Sequence, residues 1–172
     1  RSPENSTTSM GGSALNTLRV AAKSSAVKAI MLGAVGDDET GERLCEKCRA
    51  CKILPLFQQV AGKRTGQCAV LVCAESKKRT LCGRRGAYKD YSPQPLDDPK
   101  SPERLVLVRA SLLFITSYTI TNSNRAEAAG KLIKYGDCTL AISLSSAGLL
   151  KDPATLQRLF DVLMPSCSIC FC

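Results

Sequence analysis

Short apolar segments alternate with segments that carry helix-start signals, and this alternation restricts the fold more than any other feature of the sequence. Mostly apolar runs typical of buried strands occur at residues 27–35, 111–117 and 138–144. Each predicted helix begins close to a Ser or Asp that can cap it, such as Ser13 for the first helix, and four helices span residues 13–22, 38–51, 123–135 and 152–164. A further helix start is predicted at Ser101, which is followed by Pro102. Strands that alternate with helices favour a parallel sheet with helices on both faces, so we expect an α/β fold.

One stretch interrupts the alternation with three short strands, predicted at residues 54–60, 67–74 and 79–86. Turns rich in Gly and Lys join them, a pattern typical of an antiparallel meander. We expect this meander to form a small β flap added to the sheet. Residues 1–172 then form a single partial domain, with an α/β core at 11–53 and 87–172 and a flap segment at 54–86.

The net charge of +9 suits nucleic-acid binding, but the aromatic content does not. With only four Phe, four Tyr and no Trp, the chain offers no row of aromatic side chains on which bases could stack. No apolar run approaches the ~20 residues of a membrane-spanning helix. We therefore expect neither a nucleic-acid nor a membrane partner. The polar N-terminal residues do not resemble a signal peptide, which predicts a cytoplasmic location.

Ten cysteines and no histidine limit the chemistry. Without His, a Ser–His or Cys–His hydrolase is excluded for this chain. Cys68, Cys73 and Cys138 lie in apolar runs, so we expect them to be small buried side chains in a reducing compartment. A cysteine-rich metal-binding module remains an alternative. Its thiolates would come from two groups, Cys45, Cys48 and Cys51, and Cys167, Cys170 and Cys172.

The most informative motif is GGSALN, residues 11–16, at the start of the first predicted helix. Two glycines allow a ligand to approach the backbone, and a helix start offers free N–H groups and the positive end of the helix dipole. Asn16, one turn later, can present its amide towards the same place. These groups suit a polar ligand rich in hydroxyls. A simple glycine turn before a helix would have the same pattern.

Three further motifs follow in order: GAVGDDETG at residues 33–41, TGQCA at 65–69 and RTLC at 79–82. Together with GGSALN they resemble the ribokinase-like (PfkB) family of carbohydrate and nucleoside kinases, and RTLC resembles the adenosine kinases within it. The resemblance extends over residues 11–172. It implies a ribokinase-like sheet with helices on both faces and a small antiparallel flap. It also implies an enzyme, monomeric when complete, that uses ATP and Mg²⁺ to phosphorylate the 5′-hydroxyl of adenosine to AMP in purine salvage.

The resemblance implies which residues bind substrate. The ribose would lie on a turn whose matching residues are Gly11, Gly12, Ser13 and Asn16. Cys68 matches a flap residue that lines the nucleoside pocket, and Tyr118 matches an aromatic residue that packs on adenine. Arg79 matches an arginine that reaches the transferred phosphate, where a guanidinium can neutralise developing charge. Packing roles stay open for Cys68 and Tyr118, and we expect Asp37 to be a turn and helix-cap residue rather than a catalytic acid.

Several family motifs have no counterpart in this chain. The late GAGD motif, whose Asp is the base for the 5′-hydroxyl, does not occur. The first strand and the acidic NxxE motif that helps to organise magnesium would lie before Arg1 and after Cys172. We therefore expect no catalytic base and no metal site here, and an inactive, marginally stable chain, because a sheet that lacks strands exposes apolar faces. A non-catalytic remnant that binds a nucleoside or a partner is a second alternative.

Two internal departures concern the nucleoside pocket. SLSSAG at residues 143–148 stands where the family has NLSAP. Arg85 stands where the resemblance implies a Leu beside the base, and an unpaired Arg against a purine is costly to bury. We expect that Arg85 either turns to solvent or disrupts the pocket.

Overall fold

The first half of the chain forms a parallel strand–helix–strand unit. The computed structural model describes residues 7–172, in which α1 (Ser13–Ala21) leads to β1 (Ala29–Gly36). After β1 comes α2 (Glu39–Ala50), which returns the chain to β2 (Ile53–Val60). The two strands pair in parallel over their whole length, as expected of strands connected by a helix.

The flap is a two-stranded hairpin, in which β3 (Gln67–Val72) pairs antiparallel with β4 (Arg79–Arg84). The small antiparallel sheet predicted from the sequence is therefore present, but the three-stranded meander is wrong. The segment expected to be the first flap strand is β2, which pairs with β1 instead. Parallel pairing buries Ile53 to 1% exposure beneath α1 and α2, an apolar contact that the hairpin could not offer.

The second half of the chain contains α3 (Pro102–Leu107), β5 (Leu112–Thr116), α4 (Ser123–Tyr135), β6 (Thr139–Ser143), α5 (Pro153–Arg158) and β7 (Ile169–Phe171). These three strands form a second parallel sheet in the order β5-β6-β7. The predicted alternation of strands and helices is thus confirmed, and the chain has an α/β fold. The helix predicted at 152–164 is present, but it is α-helical only in α5: a π-helical turn at Leu159–Leu163 and a 3₁₀ turn at Met164–Ser166 continue it.

Apolar side chains from both parallel sheets meet in one core. One cluster packs the buried faces of α4 and the turn after α5 on β5 and β6, with Ile120, Ile142 and Leu163 fully buried. A second cluster contains residues of β1, α3 and α4, and Leu113 of β5 packs against it. Because side chains of both β1 and β5 pack in this cluster, it joins the two sheets. A third cluster packs α1 and α2 on β1.

Local capping fixes several helix starts. The side chains of Asp38, Ser101 and Asp152 each accept a backbone N–H in the first turn of α2, α3 and α5, as predicted. The expectation that Ser13 caps α1 is wrong, because Gly12 occupies the cap position and no side chain caps this helix. Gly12 has φ of 103°, a left-handed value that favours glycine, so the turn before α1 lies at the two glycines, as expected.

The hairpin lies outside the core. Every residue of β3 and β4 is exposed. The expectation that Cys68 and Cys73 are buried is therefore wrong, because their apolar neighbours face solvent on both sides of a ribbon that nothing covers within residues 7–172. Across the same residues, no helix has the length and apolar character needed to cross a membrane.

Candidate functional site

The turn before α1 is open. Gly11, Gly12, Ser13 and Asn16 are all exposed, and no described atom lies within 4 Å of the position that a Cβ would take at either glycine. The Asn16 side chain makes one long hydrogen bond, from Arg19 Nη1 at 3.4 Å. The turn therefore presents backbone N–H groups, a hydroxyl and an amide to solvent. These groups can bind hydroxyls of a ligand.

A buried polar network ties the end of β1 to the segment that enters the hairpin. Thr65, 3% exposed, donates its hydroxyl to Asp38 Oδ1 at 2.6 Å and accepts the N–H of Gly36 at 3.0 Å. Asp38 Oδ2 accepts the N–H of Thr65 at 2.9 Å, and Asp38 Oδ1 also caps α2 through the N–H of Gly41 at 3.0 Å. The hydrogen bond from the Thr65 hydroxyl is the main reason that the pKa of Asp38 is lowered.

Of the turn and helix-cap roles predicted for Asp37, the structure shows only the turn role. Asp37 Oδ2 accepts the N–H of Gly62 at 2.9 Å, so this carboxylate fixes the turn before the hairpin. The cap of α2 is Asp38. Both carboxylates thus serve backbone geometry, in keeping with a structural role for Asp37.

The two ends of the hairpin join the core at the flap root, which we define as residues 62–66 and 84–88. Gly86 has φ of 57°, and a side chain there would collide with the carbonyl oxygen of Arg64. The N–H of Ala87 donates to this same oxygen at 2.9 Å. The root is therefore a place where two backbones cross in contact, and it fixes where the hairpin starts and ends.

Cys68 and Arg79 lie at opposite ends of the hairpin. In the strand register Cys68 pairs with Gly83, next to the root, whereas Arg79 pairs with Val72 near the tip. Four residue steps along β4 separate Gly83 from Arg79, or about 13 Å. The structure thus places Cys68 beside the root and Arg79 well away from it, with both side chains exposed.

Tyr118 lies just after β5, in the 3₁₀ turn Ser117–Thr121. It is 44% exposed, while its neighbours Ser117 and Ile120 are fully buried. The alternative in which Tyr118 is a core residue at the strand end is therefore wrong. Its ring is free to stack on a ligand at the carboxyl end of a parallel strand, where α/β proteins commonly bind ligands.

Arg125, in the first turn of α4, connects Tyr118 to the flap root. Its Nη2 donates to the Tyr118 carbonyl at 2.7 Å and to the Thr121 hydroxyl at 3.0 Å. Its guanidinium carbon lies 4.8 Å from the centre of the Tyr88 ring. Burial lowers the pKa of Arg125; Tyr88 opposes this effect and nearby Arg85 adds to it. The Nε atom is buried and has no hydrogen-bond partner within residues 7–172.

The structure thus joins some predicted site residues and not others. Tyr118 and the flap root, with Cys68 beside it, are linked through Arg125 and Tyr88. No hydrogen bond in the described part of the chain connects the α1 turn to either of them. Sequence reasoning missed Thr65 and Arg125. For Arg125 there was one local signal: it is a basic residue in the first turn of a helix, and that turn contains no acidic residue.

The metal-module alternative gains no support from the cysteine positions. Cys48 is buried in the core, and burial together with Cys45 and Cys51 raises the pKa of its thiol to about 11, which disfavours a thiolate ligand. Across residues 7–172, no group of three or more His, Cys, Asp or Glu side chains is placed to hold a metal ion.

The chain is similar to known proteins along nearly its whole length. A family model described as pfkB family carbohydrate kinase matches residues 2–166. The chain is 28% identical to adenosine kinase from Anopheles gambiae, solved in complex with P1,P4-di(adenosine-5) tetraphosphate, with a TM-score of 0.78. The match covers 93% of this chain and 47% of that one.

Two other solved structures are similar. Adenosine kinase from Trypanosoma brucei brucei is 25% identical with a TM-score of 0.75, over 93% of this chain and 48% of its own. Adenosine kinase from Sinorhizobium meliloti, 18% identical with a TM-score of 0.73, covers 93% of this chain and 57% of its own, and supports the fold alone. The chain thus spans about half the length of these proteins.

Proposed function

Because this chain belongs to the pfkB family of carbohydrate kinases, we propose that it carries the nucleoside-binding part of an enzyme that transfers a phosphoryl group from ATP to the 5′-hydroxyl of adenosine, giving AMP. The observation that carries the proposal is the exposed ring of Tyr118, linked through Arg125 to the root of the hairpin. An aromatic platform near an exposed ribbon suits a flat base that the ribbon could cover after it binds. The names of the similar solved proteins support adenosine as the nucleoside.

In this proposal each predicted residue binds or positions substrate. The ribose hydroxyls lie on the α1 turn, with Gly11, Gly12, Ser13 and Asn16. The base stacks on Tyr118, with Cys68 beside it. Arg79 lies about 13 Å along β4 from Gly83, the residue paired with Cys68, so in this proposal it reaches the transferred phosphate only when the hairpin closes. Closure would also exclude water from the reacting groups.

Magnesium does not fit the described part of the chain. Residues 7–172 hold no group of three or more acidic, Cys or His side chains that could bind a metal ion, so no step is assigned to it here. ATP would supply the transferred phosphoryl group. The groups of this chain then contribute nucleoside binding and, through Arg79, charge neutralisation at the phosphate.

Adenosine binding measured by isothermal titration calorimetry tests the proposal. Tyr118→Ala should weaken binding roughly 5- to 150-fold, since stacking of a base on an aromatic ring is worth about 1–3 kcal/mol. Tyr118→Phe should bind nearly as well as the unchanged chain. Phe160→Ala is the matched control, because Phe160 is a similarly exposed aromatic on the turn after α5. An absence of adenosine binding, or equal losses in Tyr118→Ala and Phe160→Ala, would refute the proposal.

A non-catalytic nucleoside-binding protein is the second candidate. Two observations favour it: the Tyr118 ring is exposed, and residues 7–172 contain no cluster of three or more acidic, Cys or His side chains that could hold a metal ion. Incubation with adenosine, ATP and MgCl₂ separates the two candidates. Formation of AMP and ADP supports the kinase, and adenosine binding without ATP consumption supports the second candidate.

Location and assembly also belong to the proposal. The ten cysteines are all free, and several are exposed, which suits a reducing compartment such as the cytoplasm. We propose a cytoplasmic enzyme that acts as a monomer in purine salvage. Size-exclusion chromatography with light scattering would test the monomer.

A further inference from the structure

The hairpin exposes an apolar run that the fold itself does not use. Every residue from 66 to 85 is exposed; Arg85 is among them and turns to solvent, one of the two outcomes expected for it. Within this stretch residues 69–74, AVLVCA, are apolar without interruption. The large apolar side chains of the hairpin are between 54% and 63% exposed: Val70, Leu71, Val72 and Leu81. Contiguous exposed apolar residues are unfavourable in water and commonly mark a surface that binds a partner.

The apolar side chains lie on both faces of the ribbon. Val70 pairs with Leu81, and residues that pair directly across an antiparallel ladder share a face. Since side chains alternate along a strand, Val72 lies on that same face and Leu71 on the opposite one. A partner that docks on one face would leave the other in water. An apolar medium that surrounds the end of the ribbon would cover both.

Basic side chains lie directly beside the end of the apolar run. The N–H of Cys73 donates to the carbonyl of Lys78 at 2.9 Å, and Val72 pairs with Arg79. Residues 66–85 contain five Lys and Arg but only one acidic residue, Glu75. No ion pair within residues 7–172 involves any of these five. The tip of the hairpin is therefore both apolar and positively charged, which complements an anionic surface.

These properties distinguish between the possible partners. Single-stranded nucleic acid binds on aromatic side chains, and residues 66–85 contain none. A second copy packed tip to tip would bring like charges together. An acidic protein that covers one face would leave the other exposed. A membrane with anionic phospholipids supplies negative headgroups and, just beneath them, an apolar environment on every side.

The length of the hairpin allows such contact without burying the core. The six residues of β3 extend about 20 Å from the root, so the tip can reach a membrane surface while the α/β core stays in water. The expectation that the chain has no membrane partner rests on the absence of an apolar run long enough to span a bilayer. A protein that binds only at the surface needs no spanning segment.

We propose that the tip of this hairpin, residues 70–81, binds the surface of membranes that contain anionic phospholipids. The apolar run inserts at the boundary between headgroups and acyl chains, and Lys77, Lys78 and Arg79 contact the phosphates. The inference goes beyond the proposed function and does not rest on it.

Cosedimentation with vesicles tests the inference. The chain should bind vesicles of mixed phosphatidylcholine and phosphatidylserine, and should not bind vesicles of phosphatidylcholine alone. The double variant Lys77→Gln, Lys78→Gln should bind the mixed vesicles about 30-fold more weakly, or ~2 kcal/mol for the two charges. Leu71→Gln should weaken binding at least about tenfold, or ~1.4 kcal/mol, because it removes a large apolar side chain from the inserted run.

Matched controls separate the tip from the rest of the chain. The double variant Lys23→Gln, Lys28→Gln removes the same charge from two exposed residues between α1 and β1, and Leu105→Gln removes a 53% exposed leucine from α3. Both should bind the mixed vesicles nearly as well as the unchanged chain. Circular dichroism would check that each variant is folded, and Leu71→Thr replaces Leu71→Gln if that variant is not.

Four results would overturn the inference. The first is an absence of binding to the mixed vesicles. The second is equal weakening by the two double lysine variants, since the net charge of the chain would then be responsible. In the third, Leu71→Gln binds as well as the unchanged chain, which indicates contact with any polyanion rather than insertion into lipid. The fourth is a dimer in light scattering that Leu71→Gln converts to a monomer, because a second copy would then cover the apolar run. Adenosine binding is a separate measurement, so none of these results decides the proposed function.

Discussion

Replacing Thr65 by Val should destabilise the protein far more than its small change in shape suggests. The hydroxyl of Thr65 joins two partners in a buried position, the N–H of Gly36 at 3.0 Å and the carboxylate of Asp38 at 2.6 Å. Val has nearly the same volume but no polar atom in its side chain. The substitution therefore leaves the N–H of Gly36 unpaired and removes one donor from a charged carboxylate.

The magnitude follows from these two losses. A buried donor left without a partner costs about 1–3 kcal/mol, and a hydrogen bond to a charged group contributes about 1.5–3 kcal/mol. Since both losses share one atom and do not add fully, we expect Thr65→Val to reduce the free energy of unfolding by about 3 kcal/mol. Thr65→Ser keeps the hydroxyl and loses one methyl group, so it should cost only about 1 kcal/mol.

Urea denaturation at neutral pH, followed by far-ultraviolet circular dichroism, measures the difference. With a slope of about 2 kcal/mol per molar urea, the midpoint of Thr65→Val should lie about 1.5 M below that of the unchanged chain. If Thr65→Val and Thr65→Ser have midpoints that coincide, the network does not stabilise the flap root and the reasoning is wrong.

Three further predictions concern titration and burial. The folded pKa of Asp38 lies below its unfolded value of about 3.9, so the stabilisation of the fold by this carboxylate is present above pH 3.9 and is lost as the pH falls through the folded pKa. The free energy of unfolding should therefore fall less on acidification in Thr65→Val than in the unchanged chain. Tyr91→Phe should stabilise the chain by about 1 kcal/mol in the same urea assay, because the Tyr91 hydroxyl is buried without a hydrogen-bond partner among residues 7–172, and a destabilisation would contradict this. Pulsed alkylation read by mass spectrometry should show that exposed Cys73 reacts first, because Ser76 lowers the pKa of its thiol. Cys48 should react last, because the pKa of its thiol is raised to about 11. Equal rates in the folded chain would count against both assignments.

The helix starts were predictable from sequence because their signals are local. Asp38, Ser101 and Asp152 each lie within three residues of the N–H that they accept, so a short window of sequence contains the whole interaction. Tyr118 is predicted in another way, through its match to an aromatic residue of the family that the chain resembles. Its exposure, which decides between a core residue and a binding surface, required the structure.

The features that sequence did not reveal depend on distant partners. The pattern of β2 fits a hairpin or a parallel sheet equally well, and only the burial of Ile53 under α1 and α2 selects the parallel pairing. Thr65 meets Asp38 across 27 residues, and no local pattern in the chain marks that contact. The exposure of Cys68 likewise depends on the absence of a covering layer over the hairpin among residues 7–172.

The exposed hairpin and the two tightly packed root positions Thr65 and Gly86 should evolve at different rates. Residues of β3 and β4 are exposed and lie outside the core, so most substitutions there should leave the stability of the fold unchanged. Under the proposed function, selection would act on these residues through ligand binding. At Thr65 and Gly86 almost any substitution damages folding itself. A hairpin that tolerates substitution, joined to root positions that do not, would let such a protein acquire a new substrate without first acquiring a new fold.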